Sequence, residues 1–158
     1  MKLNIKELNG EAKIWVYTSS VKINELQQKK ILNLADQFLS SWESHGKSVI
    51  GTVEIIEDHF VIIAADPKGD TLCGRAVDAN VRFVKEAQQV TGLNLTDRMV
   101  VVYKQNGEML SGDFNTLKKE IQSGRMDADS VIYNPLVTSV EEFNTSFDTF
   151  NASSAVST

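Results

Sequence analysis

One thiol, two imidazoles and a run of charges between residues 66 and 98 hold most of the reactive chemistry in this chain. Asp66 closes an apolar run and leads, through the Gly-containing loop from Lys68 to Thr71, into Cys73, Gly74 and Arg75, which open a helical pattern with Asp78 close behind. Helix N-termini carry unpaired N–H groups and a partial positive charge, which attract anions and lower the pKa of a thiol. Arg75 adds to both effects, and Arg98, just before a later apolar strand, is an anion-binding candidate beside Gly74 and Arg75. The spacing marks either an anion pocket or a reactive Cys73, with Asp66, Asp70 or Asp78 polarising a water or a proton. A purely structural account also fits: Cys73 as a small buried hydrophobe, Asp78 as a helix cap and Asp66 as the turn residue before Pro67.

His45 and His59 are the only histidines. His45 falls at the expected C-terminal end of the first helix, where the dipole favours the imidazolium, and is the imidazole candidate for catalysis. His59 belongs to a hairpin turn and is expected to be solvated. One Cys and two His without close ligand spacing argue against a dedicated zinc site, and no metal or cofactor is expected. Gly46-Lys47-Ser48 ends like a phosphate-binding loop, but Ser41 stands where that motif needs a glycine, and the segment follows a helix instead of preceding one. Neither a Gly-x-Gly-x-x-Gly run nor a Gly-x-Ser-x-Gly elbow is present.

These residues must be held by elements whose order is strand, helix, strand, strand, helix, strand. Lys13 to Thr18 is β-branched and aromatic and reads as a strand. Asn24, with Gln27 in capping-box position, opens a helix whose apolar residues run from Ile31 through Phe38 to Trp42, with Gly46 as its expected stop. Thr52 to Ile56 and Phe60 to Ala65 form a hairpin, and a second helix from about Asp78 to Thr91 carries Val81, Val84, Ala87 and Val90, with Gly92 as its stop. Met99 to Lys104 is the fourth strand, and Asn106-Gly107 turns it into a short return over Glu108 to Leu110. This order predicts one α+β domain over residues 1–158: a ferredoxin-like βαββαβ core over 12–104 with an antiparallel sheet, a small C-terminal α/β appendage over 105–150, and a frayed tail over 151–158. The appendage holds a short helix near Thr116 to Gln122 and a strand-like Ser130 to Tyr133. Phe143, Phe147 and Phe150 form the apolar stripe of a docking helix.

Both faces of the predicted strands are apolar: Ile14 and Val16 against Trp15 and Tyr17, and Phe60 and Ile62 against Val61 and Ile63. A sheet with one solvated face alternates apolar with polar. The second face is therefore expected to be covered, by the C-terminal appendage or by the same face of a second copy in a homodimer. An open platform for RNA is excluded on the same ground, and because the third strand lacks basic residues.

The 158 residues are 42% hydrophobic and 23% charged, which suits a folded chain, and 21 acidic against 16 basic residues give a net charge of -5. That sign, with no long basic run, excludes a nucleic-acid partner. Met1 to Gly10 lacks the apolar core of a signal peptide, no stretch is apolar enough for a membrane span, and the lone Cys73 agrees with a reducing compartment. The expected location is cytoplasmic.

Ser41-Trp42 with His45-Gly46, Phe60, Gly74 with Asp78 and Val81, and Arg98 before an apolar strand together resemble a family of short uncharacterised bacterial proteins that often carry the label ABC transporter ATPase. This chain has no Walker or signature motif that would support the label. The family pattern places a Ser-Gly-Cys-Ser-Ile-Asp run over Cys73 to Asp78. Asp78 matches it, whereas the family's Cys falls on Arg75. The resemblance brings no function with it. The sequence leads to a binding or protein-interaction module, with an enzyme acting on a small anionic substrate at the loop between the third strand and the second helix as the alternative.

Overall fold

The computed structural model describes residues 4–68, 71–126 and 130–148, with the backbone of 150–151. Asp70, and the tail expected to fray, beyond Asn151, lie outside the described residues. The fold is α+β with antiparallel sheets. β1 (Lys13–Thr18), β4 (Ile50–Ile56) and β5 (Phe60–Asp66) form one sheet in the order β1-β5-β4, with Trp15 opposite Ile63 and Val53 opposite Ile63 across the central strand.

Helix α1 spans Glu25–Ser41, and the Asn24 side chain accepts from the N–H of Gln27 while Gln27 returns the bond, so the capping box forms as its residues predict. The helix ends before the glycine expected to stop it. Trp42 leaves the helical conformation at φ -75, ψ 121 because its ring is drawn into the core, and β2 (Glu43–Ser44) then turns back on β3 (Lys47–Ser48). His45 (φ 53) and Gly46 (φ 75) are the two left-handed residues of that turn, so the glycine serves a hairpin and His45 is no longer at a helix end. Gly51 on β4 lies under the same ring: a Cβ there would stand 2.7 Å from Trp42 and 2.8 Å from the Ala64 carbonyl.

Helix α2 runs over Gly74–Thr91 and starts four residues before the expected Asp78, with Gly92 (φ 75) as its C-cap. Its buried face is Ala76, Asn80, Phe83, Val84 and Ala87, while Val81 and Val90 are exposed, contrary to the stripe read from the sequence. Asn80 takes the inner place because its Oδ1 accepts the Tyr17 hydroxyl at 3.0 Å; its Nδ2 has no partner among the described residues. α1 and α2 cover one face of the three-stranded sheet, packing Ile31, Ala35, Phe83 and Val84 against Val53, Val61 and Ile63.

β6 (Val101–Gln105) does not close that sheet as its fourth strand. It pairs with β7 (Glu108–Gly112) and β8 (Val131–Ile132), and β9 (Phe150–Asn151) follows, giving a second sheet in the order β7-β6-β8-β9. The Asn106-Gly107 turn, at φ 53 and 78, ties β6 to its immediate neighbour in sequence. The free edge of β1 is taken instead by the segment before α4 (Val140–Ser146): the Ile14 N–H donates to the Thr138 carbonyl at 3.0 Å, and the Val140 N–H to that of Ala12 at 3.0 Å.

The second sheet lies over the other face of the first. Ile14, Phe60, Ile62 and Ala64 pack there with Val102, Tyr133, Val137, Phe143 and Phe147 in one core. The chain's own C-terminal half therefore fills the face that the apolar strands left open. Phe150 stands in β9 and not on the helix that carries Phe143. The outer face of the second sheet, Val101, Tyr103 and Ile132, is covered by Leu117 of α3 (Phe114–Gln122) and by Met126. No helix among the described residues is long and apolar enough to cross a membrane.

Candidate functional site

The start of α2 is positioned by the small hairpin that follows α1. The buried Trp42 indole Nε1 donates to the Ala76 carbonyl at 2.8 Å, which fixes the hairpin against the first turn of the helix. Ser44 then reaches the N-cap residue, and its Oγ accepts the Cys73 N–H at 2.9 Å. The exposed ring of His45 bonds the Thr71 carbonyl through Nε2 at 3.0 Å, so this imidazole orients the loop and is not paired with the thiol.

Cys73 is half-buried at the N-cap. The nearby Ser44 hydroxyl first, then the His45 and Ala76 N–H groups, favour the thiolate and bring its pKa down from 9.0 to about 7, with a smaller contribution from the Arg75 N–H. The side chain makes no ordinary capping bond, so the N–H groups of Ala76 and Arg75 act as nearby positive poles more than as full donors. The sign is that of an acid favoured in its ionised form. The stability this gives the fold is complete above the ordinary thiol value, and it is lost as the pH falls through about 7. Alkylation of the folded protein by iodoacetamide is expected to rise with a midpoint near pH 7, and Ser44→Ala to move that midpoint upward. A midpoint unmoved by the substitution would remove Ser44 from the account.

The other residues singled out by the sequence fall in three places. Arg75 and Asp78 share a shallow surface depression of about 660 Å³ with Val81, Arg82 and Lys85, on the outward face of α2. Arg75, Asp78, Arg82 and Lys85 are spaced three, four and three apart, which keeps them on one stripe. Asp78 is four residues into the helix and is not its cap, and none of the ion pairs among the described residues involves this stripe. Gly74 is the first residue of the helix, with open space around its Cα. Asp66 ends β5, where its Oδ1 accepts the Lys68 N–H at 2.8 Å, a turn role. Arg98 does not line the depression; its charge acts on the Tyr17 hydroxyl, whose pKa burial raises and Arg98 partly lowers.

Ser44, Arg82 and Lys85 were invisible to motif reading. The two cations could have been found from their seven- and ten-residue spacing from Arg75, whereas nothing in the sequence signals that Ser44 meets Cys73 across 29 residues. His59, expected in solvent, is buried, with Nδ1 bonded to the Glu57 carbonyl at 2.9 Å. Among the described residues, no group of three His, Cys, Asp or Glu side chains stands together as metal ligands would. No family model, curated protein or solved structure matches the chain.

Proposed function

We propose that the protein is a cytoplasmic binding module whose ligand surface is the first half of α2, and that the ligand is a small anion or an acidic group on a partner. The carrying observation is the charge of that surface: Arg75, Arg82 and Lys85 line one depression against the single carboxylate of Asp78, on a chain whose net charge is -5. A cationic patch on an acidic protein concentrates anions locally, and the helix N-terminus beside it adds the same sign. The reading is compatible with the resemblance to the uncharacterised bacterial family. It treats the β1-α1-β4-β5-α2 portion as the ferredoxin-like part of the fold, with the remainder as the appendage.

Phosphate or sulfate is expected to raise the melting temperature, and Arg75→Ala combined with Arg82→Ala to remove the rise. A rise of equal size in the double variant would place the anion elsewhere.

The half-exposed, acidified thiol favours a second reading, in which Cys73 attacks an electrophilic substrate held by Arg75. Loss of turnover or of covalent labelling in Cys73→Ser, with anion binding intact, would separate catalysis from binding.

A further inference from the structure

A second cavity, of about 510 Å³, opens at the far end of the core shared by the two sheets. Its size lies in the range of small-molecule sites, roughly 300–1,000 Å³. Ile56, Tyr133, Phe143 and Phe147 give it an apolar, aromatic wall, and Lys6, Glu57, Asn144 and Asp148 form its polar groups. The wall is an aromatic cluster: the Phe143 and Phe147 rings stack at 4.9 Å, Phe147 meets Tyr133 at 5.5 Å, and Phe60 backs both Tyr133 and Phe147 at 5.3 and 5.1 Å.

Tyr133 carries the argument. The residue as a whole is only 5% exposed and lines the cavity, and among the described residues its hydroxyl makes no hydrogen bond; the fully buried side-chain polar atom without a partner is Asn80 Nδ2 alone, so the Tyr133 hydroxyl keeps its exposure at the cavity. Because Tyr133 lines the cavity and its hydroxyl is not enclosed, that hydroxyl is open to a ligand in the cavity, whose lining also holds the carboxylates of Glu57 and Asp148. Burial first, then these two charges, pushes its pKa up to about 12. Glu57 is shared with Lys104 at 3.4 Å, whereas Asp148 has no ion-pair partner among the described residues; Lys6 is the one cation in the lining.

The geometry points to a binding site for a small organic amine, its apolar body stacked on Phe143 and Phe147 and its ammonium between the Tyr133 hydroxyl and Asp148. An ammonium donates to both oxygens and gains from the ring faces. An anion would meet at the same place the carboxylate of Asp148, which, unlike Glu57, no lysine or arginine pairs among the described residues. The site shares no residue with the α2 surface, so the two readings stand or fall separately.

Titration calorimetry with 2-phenylethylamine, and with 3-phenylpropionate as its anionic counterpart, tests the site on the whole chain. Saturable one-site binding of the amine is expected, weakened about ten-fold or more in Tyr133→Phe and in Asp148→Asn, as loss of a charge-assisted hydrogen bond implies. Tyr133→Phe keeps the ring and so preserves the aromatic wall. General attraction of a cation to an acidic chain would survive that substitution. Absence of saturable amine binding, equal binding of the phenylpropionate, or unchanged affinity in either variant overturns the assignment.

Discussion

Trp42→Ala is expected to lower stability by about 3–5 kcal/mol, the usual cost of emptying a large buried aromatic site, and to undo the chemistry at Cys73 as well. The ring is 2% exposed, lies 4.6 Å from Phe38 and 6.2 Å from Trp15, and covers Gly51. Its Nε1 bond to the Ala76 carbonyl joins the β2–β3 hairpin to the first turn of α2. Without it, Ser44 and the His45 N–H lose the support that holds them at the thiol. Urea denaturation gives the stability change, and the pH profile of alkylation gives the second effect: a midpoint moved up from about 7 toward the ordinary 9.0. A destabilised variant with an unmoved midpoint would show that the hairpin holds its place without the indole.

Phe60→Ala is expected to cost a similar amount, about 3–5 kcal/mol, for a different reason. Phe60 is 1% exposed and stands where the two sheets meet, against Tyr133 and Phe147. Its partners come from the C-terminal half of the same chain, so the loss is felt within one molecule. The urea midpoints of parent and variant should accordingly be independent of protein concentration. A midpoint that rises with concentration would mean that a second copy contributes to the cover.

Those two residues also show what the sequence could convey. The apolar character of Phe60 and Ile62 alongside Val61 and Ile63 announces a sheet buried on both sides, and the cores on its two faces are what that pattern requires. It does not say which segment lies on which face, because an apolar strand specifies burial and not its partner. Capping chemistry is local and was legible: Asn24 with Gln27, Gly92, and Asn106-Gly107 all act as their types predict. Gly46 was misplaced because a left-handed glycine serves a helix stop and a hairpin turn equally well, and the choice rests on the Trp42 ring, whose destination is tertiary. The same limit hides the site. Cys73 and Arg75 were visible as a helix start, but Ser44 reaches them only because the hairpin is docked by a hydrogen bond spanning 34 residues.

The claim that the first half of α2 is the ligand surface is tested most directly by following backbone amide shifts during titration with phosphate. The account predicts saturable shifts concentrated at Gly74–Val77 and around Arg82 and Lys85. Shifts that scatter over the surface, or that gather away from α2, would contradict it.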